Sequence, residues 1–282
     1  MARGIGGKKK LKFRTTANEN SARRRLILIV FSVVVIIIAA VSIAVIGNEY
    51  DWFSDDGGEG NPISEDAISK LEGTPTMMFA GVASTEDEVD FIALITLDAK
   101  NRKFTVSAVS PKEQWNGDTL SDVFAENDSA ELAAATQAVT GITVDRYAVV
   151  TEKNFKGLIS SLGLPEFEIA KKINYDSDDF SLNLLAGKQT ITGDKLYKYI
   201  QFTGLGGSDY EMQAQAEIIG EVISQRLNES NVSKGEDLFG ALINKCESNI
   251  TIVDFTKYYG LLSEISTEPR EVEILSYTSE RD

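Results

Sequence analysis

The stretch DFIALITLDAKNRKFTVSAVS, residues 90–110, decides the fold class, because it contains two apolar runs joined by a polar turn. The turn falls at Asp98 to Arg102, where polar residues interrupt the apolar pattern. Two such runs around a turn predict a β-hairpin. Strands joined this closely pair antiparallel, so a sheet that contains them has an antiparallel part.

Strands and helices alternate around this hairpin. The patterns predict further strands at 76–83, 144–151, 165–173 and 271–278, and helices at 121–139, 152–162, 192–202, 208–227, 235–246 and 251–265. Gly141 and Gly163 follow two of the helices as stop signals, and Thr251 is a candidate N-cap. The alternation predicts an α/β fold, with a mixed β-sheet flanked by helices in an α/β/α sandwich.

An apolar run lies upstream of this domain. Residues 26–46 read LILIVFSVVVIIIAAVSIAVI and contain no charged residue. A helix of about 20 apolar residues crosses a bilayer core of about 30 Å, so we expect one transmembrane helix over 26–47. A cleaved signal peptide is the alternative, but its apolar region would be shorter, about 7–15 residues. The small residues Ala40, Ser42 and Ala44 lie inside the run, which favours an uncleaved anchor.

The charges on the two flanks predict the orientation of this anchor. Residues 1–25 contain nine Lys and Arg and one acid, whereas 49–59 contain five acids. Because cytoplasmic flanks are enriched in Lys and Arg, we expect a basic cytoplasmic tail, 1–25, and an extracellular C-terminal part at the cell membrane. Residues 48–73 predict a flexible acidic spacer, and 74–282 the extracytoplasmic domain.

The composition excludes several classes of function. The chain has 43 Asp and Glu and 28 Lys and Arg, and the part after the basic tail has a net charge of −23. Such a domain repels nucleic acid, so we expect no nucleic-acid partner. The chain contains no His and one Cys, Cys246, which excludes His-based triads and leaves a poor ligand set for zinc. Cys246 lies in an apolar-periodic stretch, so we expect an inert thiol.

Four features could carry chemistry. Asp90 begins a strand, Lys112 and Glu113 follow the hairpin, and a glycine-rich loop, 204–207, leads into a helix that begins near Asp209. Carboxylates at strand ends beside a helix N-terminus could hold Mg²⁺, which needs one or two of them together with phosphate oxygens. Each feature also has a purely structural interpretation, as a solvated acidic run, a turn or a helix cap. The residues alone leave both interpretations open.

Taken together, the order of these segments resembles the LytR-CpsA-Psr family of cell-envelope proteins. The resemblance covers about residues 74–278 and the anchor, and it is clearest in ITVDRYAVVTEKNFKGLISSLG (142–163), GKQTITGDKLYKYIQF (187–202), SDYEMQAQAEIIGEVISQRL (208–227) and NITIVDFTKYYGLLSEI (249–265). It implies a protein of a Gram-positive-type envelope that moves a glycopolymer, such as teichoic acid or capsule, from a polyprenyl-pyrophosphate carrier to peptidoglycan with Mg²⁺. It also implies an apolar pocket for the lipid tail between the sheet and the helices.

The resemblance assigns metal and catalytic roles to four residues. Asp90 matches the family's metal carboxylate at the start of a strand, and Asp209 matches an Asp of its later helix, so we assign both to the metal. Lys112 and Glu113 stand in place of Arg and Asp in the family's Pro-Arg-Asp motif and are the catalytic candidates. Lys112 keeps the positive charge but lacks the bidentate fork of Arg.

The resemblance also assigns substrate binding to four residues that have lost the family's positive charges. Gln201 and Thr203 stand at the family's Arg-x-Arg, while Met212 and Gln215 stand about where two further arginines contact the pyrophosphate. Loss of one preorganised charge of this kind costs about 2–4 kcal/mol of transition-state stabilisation. The sequence therefore predicts the family scaffold with a weakened pyrophosphate clamp.

Three functions follow from these observations. The first is a degenerate family member that binds a polyprenyl-linked glycopolymer or a cell-wall enzyme without transferring anything. The second is an active Mg²⁺-dependent phosphotransferase in which Lys112, Arg146, Lys195 or Lys198 supply the missing cations. The third is a structural or signalling ectodomain whose basic tail contacts a cytoplasmic partner.

Overall fold

The computed structural model describes residues 74–85, 87–228, 243–266 and 272–275, together with Val232, Gly235 and Phe239. The strands are β1 Thr76–Val82, β2 Val89–Asp98, β3 Lys103–Val109, β4 Gln114–Trp115, β5 Asp118–Thr119, β6 Arg146–Thr151, β7 Glu166–Ile169, β8 Ile173–Asp176, β9 Ser181–Leu184, β10 Gly187–Thr190, β11 Glu247–Ser248 and β12 Val272–Ile274. The helices are α1 Leu120–Glu126, α2 Ser129–Thr140, α3 Glu152–Leu162, α4 Gly193–Thr203, α5 Asp209–Arg226 and α6 Ile252–Ser266.

The predicted hairpin lies at the centre of a six-stranded mixed sheet. β2 and β3 pair antiparallel from Asp98 opposite Lys103 to Ile92 opposite Val109. The strand order is β11-β6-β1-β2-β3-β12. β1 runs antiparallel to β2 and parallel to β6, and β12 runs parallel to β3. The mixed sheet is therefore confirmed.

Helices cover both faces of the sheet, which confirms the three-layer arrangement. One face packs Met78, Ile92 and Leu94 against buried residues of α1 and α2. The other face packs Phe79 and Phe91 against α3, α4, α5 and α6. Side chains alternate along each strand, so consecutive apolar residues of β1 and β2 feed the two cores in turn.

The predicted helix at 121–139 is wrong in one respect, because two helices occupy this stretch. The carboxylate of Asp128 accepts hydrogen bonds from the backbone N–H groups of Ala130 and Glu131, both at 2.9 Å. This N-cap begins α2 and separates it from α1. Asp favours such caps over helix interiors, and this local preference overrides the continuous apolar pattern.

Three small strand pairs lie outside the main sheet, and of their strands only β7 falls in a predicted strand, the one at 165–173. β4 and β5 pair across a two-residue turn whose Asn116 and Gly117 have φ of 55° and 104°. Positive φ at both turn positions is the geometry that Asn-Gly favours in tight hairpins. β8 pairs with β9, and β10 pairs with β7, outside the main sheet. Their strands of four residues are too short to give a clear alternation.

Several sequence predictions fall wholly or partly on residues outside the described part of the chain. These are the cytoplasmic tail, the transmembrane helix and the spacer, together with half of the helix at 235–246 and half of the last strand at 271–278. Among the helices that the structure describes, none combines the length and the apolar character of a membrane span.

A buried ion pair fixes α6 to the sheet. The guanidinium of Arg146 donates to both carboxylate oxygens of Asp254, at 3.0 and 3.3 Å, and the Asp254 side chain is fully buried. Asp254 also accepts from the backbone N–H and the hydroxyl of Thr251, both at 2.8 Å. The predicted N-cap at Thr251 is thus confirmed as part of a network that joins β6 to the start of α6.

We expect Asp254→Ala to destabilise the domain by about 3–5 kcal/mol, because it leaves the buried guanidinium of Arg146 without its carboxylate. Asp194→Ala, which breaks a partly exposed pair with Lys156, is the matched control and should cost about 1 kcal/mol or less. Urea unfolding followed by circular dichroism measures both. Equal losses would contradict the structural role given to the buried pair.

Candidate functional site

The residues singled out from the sequence converge at one edge of the sheet. The parallel strands β1 and β6 end together, with Val82 opposite Thr151. β3 ends and β2 begins at the same edge, because Val109 pairs with Ile92. Ligands of α/β sheets bind outside the carboxyl ends of parallel strands. We call this the candidate edge: residues 83–85 and 87–90, the loop 110–113, the start of α3, α4 and the loop 204–207.

Asp90 lies at this edge, and α4 closes over its carboxylate. Oδ1 accepts from the side-chain amide of Gln201 at 2.6 Å, and Oδ2 lies 2.5 Å from the hydroxyl of Tyr197. The same hydroxyl lies 2.8 Å from the carbonyl oxygen of Val82. A phenol has one proton for these two acceptors. The Tyr197 hydroxyl donates to Asp90 when that carboxyl is ionised; when the carboxyl is protonated it donates to Tyr197, and Tyr197 then donates to Val82.

The electrostatics of the candidate edge favour that proton. Burial raises the pKa of Asp90 to about 6, the negative charges of Glu88 and Glu152 add to this effect, and the hydrogen bonds from Tyr197 and Gln201 oppose it. Burial and the adjacent Asp90 raise the pKa of the Tyr197 hydroxyl well above its usual value. Asp90 therefore lies in an environment short of positive charge.

Four aromatic rings fill the space between the sheet and the helices behind Asp90. Phe91, Phe155 and Tyr197 contact one another edge to face, with ring centroids 5.2 to 6.0 Å apart, and Phe79 lies 5.7 Å from Phe91. Gly81 makes room for this cluster, because a Cβ there would lie 2.1 Å from the Phe91 ring. The region where the resemblance implied a lipid pocket is packed with side chains of the protein.

The glycine-rich loop and the start of α5 form a second unit, whose backbone N–H groups are hydrogen-bonded by a side chain of the same unit. The Glu211 carboxylate accepts from the backbone N–H groups of Gly206 and Ser208, at 3.1 and 3.0 Å, and from the Ser208 hydroxyl. These hydrogen bonds, led by that of the Ser208 hydroxyl, lower the pKa of Glu211. A helix N-terminus favours an anion nearby, and here the Glu211 carboxylate provides that negative charge.

Lys112 brings the loop 110–113 onto this unit. Its ammonium group donates to the carbonyl oxygen of Leu205 at 2.6 Å. Its charge also contributes to the lowered pKa of Glu211. Gly207 packs closely against the same loop, since a Cβ there would lie 2.6 Å from Ser110 Oγ, and its φ is 72°. The charge of Lys112 is thus turned towards a carbonyl and a carboxylate of the protein.

Glu113 and Asp209 occupy less central positions. Glu113 lies in the turn after β3, where its backbone N–H donates to the carbonyl of Ser110. Asp209 is exposed as the first residue of α5, directly after the capping Ser208. Asp90 contacts α4, and Lys112 contacts the loop that follows α4. The structure places Asp209 at the start of the next helix.

The four predicted substrate-binding residues lie along the packed junction of α4 and α5. Gln201 binds Asp90, and the Thr203 hydroxyl donates back to the carbonyls of its own helix. Met212 and Gln215 are buried, and the amide of Gln215 donates to the carbonyl of Ile200 at 3.0 Å. Three of the four therefore hold protein groups together rather than line an open cleft. Met212 packs in the core.

Other cations proposed as replacements lie elsewhere or have acidic partners. Arg146 is at the opposite end of β6, paired with Asp254. Lys198 contacts the Asp194 carboxylate at 3.4 Å, and Lys195 is an exposed residue in the first turn of α4. The proposal that Arg146 covers a lost role is wrong, because about 17 Å of strand separates it from the candidate edge, at roughly 3.3 Å per residue.

The donors at the candidate edge do not form a magnesium site as they stand. Both oxygens of Asp90 are engaged by side chains of α4, which would have to move before the carboxylate could bind Mg²⁺. In the described part of the chain, no three acidic or thiol side chains group closely enough to hold a metal ion. Mg²⁺ binding remains a prediction that this donor set does not support.

Sequence reasoning missed two residues that define the candidate edge. Tyr197 lies four residues before Gln201 and so shares its helical face, a spacing visible in the sequence. Glu211 follows Ser208 by three residues, which is the spacing of a capping box. Both signals were available, but neither shows by itself that the side chain closes a functional position.

The fold and this edge define a class: a three-layer α/β domain with a mixed sheet and a polar site where its parallel strands end. The chain belongs to the LytR_cpsA_psr family, whose model matches residues 41–282. Membership of this family implies a role in the assembly of cell-envelope glycopolymers. The resemblance seen in the sequence is thereby confirmed.

Solved structures share the fold at low sequence identity. A candidate transcription regulator from Eubacterium siraeum is 17% identical, with 83% of this chain and 90% of that chain covered and a TM-score of 0.63. B. subtilis TagV is 18% identical, with 73% and 84% covered and a TM-score of 0.58. TagT bound to LI-WTA is 13% identical, with 74% and 79% covered and a TM-score of 0.52. No curated protein sequence matches this chain.

We expect the raised pKa of Asp90 to make the domain less stable as the pH rises. The pKa of the Asp90 carboxyl is about 6 in the folded state and 3.8 in the unfolded state. The stabilisation that comes from binding this proton is therefore complete below pH 3.8 and is lost as the pH rises through 6. Between pH 5 and 7.5 the loss is about 1 to 1.5 kcal/mol. Asp90→Asn should flatten this part of the profile in urea unfolding experiments.

The control for this measurement is Asp176→Asn, which removes an exposed carboxylate from β8. It should leave the slope of the profile between pH 5 and 7.5 as in the wild type. If Asp90→Asn and the wild type show parallel profiles, the carboxyl of Asp90 does not hold a proton in the folded state.

Proposed function

We propose that this protein is a non-catalytic member of its family that acts in envelope glycopolymer assembly by binding a polymer or a partner enzyme. In this proposal residues 26–47 anchor the chain in the cell membrane, with the N-terminus in the cytoplasm and the domain outside. The single observation that carries the loss of catalysis is the Glu211 carboxylate, which accepts from the N–H groups of Gly206 and Ser208 just before α5.

The distribution of cations supports the same conclusion. A pyrophosphate bridge needs several positive groups around it, typically Arg forks. At the candidate edge the charge of Lys112 faces Leu205 and Glu211, and the side-chain amide of Gln201 donates its hydrogen bond to Asp90. Glu88 and Glu152 add negative charge to this edge. Lys156, at the start of α3, is paired with Glu152 and Asp194, so its charge is also engaged by acids of the protein.

The aromatic cluster supports a binding role that does not use an inserted polyprenyl chain. Tyr197 is 1% exposed and Phe91 is fully buried, so the space behind Asp90 is occupied in the folded protein. Interiors packed this way resist opening, because side chains already interdigitate. The relative TagT was solved with LI-WTA, which supports an envelope polymer as the class of ligand, though bound here by a different surface chemistry.

The decisive assay follows transfer from a polyprenyl-pyrophosphate-linked glycan to peptidoglycan by the full-length chain in detergent with Mg²⁺. We expect release of polyprenyl phosphate no faster than the protein-free background. Transfer by the wild type would overturn the proposal and favour the alternative function, an active Mg²⁺-dependent phosphotransferase. Asp90→Ala would then be expected to abolish that transfer.

A gain-of-binding variant serves as the matched positive control. Gln201→Arg with Thr203→Arg and Glu211→Gln adds two cations and removes the competing carboxylate. We expect it to bind inorganic pyrophosphate at least about tenfold more tightly than the wild type in calorimetry, since each charge-assisted contact contributes about 1.5–3 kcal/mol. Equal binding by the two proteins would contradict the role given to Glu211.

A further inference from the structure

The strands place a second surface at the end of the sheet opposite the candidate edge. We call it the entry edge: Thr76 at the start of β1, the β2–β3 turn at 98–103, Arg146 at the start of β6, and residues 251–257 at the start of α6. Thr76 lies opposite Thr96 on β2, and Met77 lies opposite Arg146 on β6, so these groups share one edge. The chain from the predicted anchor also enters the domain here.

The entry edge carries more positive charge than the acidic domain around it. Lys100, Arg102 and Lys103 are exposed in the turn. The carboxylates nearby are engaged: Asp98 accepts from Asn101, and Asp145 accepts from the backbone N–H of Thr76. Counted among the described residues, and with Arg146 and Lys257 included, the edge has five basic groups for four acids, namely Asp98, Asp145, Asp254 and Glu273. The domain as a whole, residues 74–282, has a net charge of −16.

Two apolar side chains project from the same edge. Ile252 is 55% exposed and Val253 is 59% exposed, at the beginning of α6. The adjoining Asp254 is fully buried against Arg146 and is held by Thr251, so the first turn of α6 cannot swing away without breaking the buried pair. The apolar pair is therefore presented on a rigid support at the entry edge.

We infer that the entry edge rests on the surface of an anionic phospholipid bilayer. The inference rests on the proposed function in one respect, the anchor at 26–47. Basic side chains are attracted to anionic headgroups, and exposed apolar side chains enter the headgroup boundary. A domain tethered by its own anchor meets the surface at high effective concentration, so a weak contact is sufficient to orient it.

This orientation decides which way the candidate edge faces. β1 runs seven residues from Thr76 to Val82, or about 20 Å at roughly 3.3 Å per residue. Asp90 and Glu152 would then lie on the side away from the bilayer. The acidic candidate edge would face the partner across the envelope, while the entry edge faces the lipid.

A fluorescent label on the apolar pair tests the contact. The full-length chain with Cys246→Ser and Val253→Cys is labelled with nitrobenzoxadiazole and placed in nanodiscs of phosphatidylglycerol and phosphatidylcholine. We expect a blue-shifted emission that brominated lipid quenches. The control is Tyr210→Cys, an 81% exposed position at the start of α5, which should show neither effect.

The charge dependence provides the second arm. We expect the blue shift at Val253 to fall at least about twofold with Lys100→Glu and Arg102→Glu, and also in discs of phosphatidylcholine alone. Circular dichroism confirms that these variants are folded. An unshifted Val253 label in chains that co-purify with the discs would overturn the inference while leaving the anchor intact. Chains that fail to enter the discs would instead contradict the proposed anchor.

Discussion

The hydroxyl of Tyr197 is the contact on which the arrangement of the candidate edge depends. Its ring belongs to the aromatic cluster beneath the sheet, and its oxygen reaches both Asp90 and the carbonyl of Val82. This contact sets the position of α4 against the ends of β1 and β2. Since α4 leads directly into the loop 204–207, the same contact also sets where Lys112 meets Leu205.

The neutral side chain of Gln201 is compatible with the raised pKa of Asp90. An amide donates one hydrogen bond without adding charge, so burial still raises the carboxyl pKa to about 6. A guanidinium at the same position would stabilise the ionised carboxylate and lower that pKa. Gln201 stands where the resemblance implies an arginine, so a neutral side chain at that position and the closing of Asp90 by α4 belong together. Glu211 adds to this arrangement, because its carboxylate accepts from the N–H of Gly206 in the glycine-rich loop.

The central sheet and most helices could be predicted from the sequence because their signals are local. The hairpin at 90–110 and the caps Thr192 and Ser208 each specify their element within a few residues. The break at Asp128 and the pair β8–β9 were missed, since short polar segments give weak periodicity. The contacts that close α4 over Asp90 could not be predicted, because Tyr197 and Gln201 lie 107 and 111 positions further along the chain. Such contacts depend on how α4 packs, which no local pattern encodes.

The charges at the candidate edge restrict what this protein can bind there. An anionic ligand needs a cationic surface, whereas this edge presents Glu88, and a Glu152 paired with Lys156, beside a closed Asp90. Repulsion between like charges falls off within about 8–10 Å at physiological salt, so it acts on groups that dock directly. A partner that contacts this edge must therefore bring positive or neutral groups. Under the proposed function, that requirement favours a protein surface, or an uncharged part of a glycopolymer, over its phosphates.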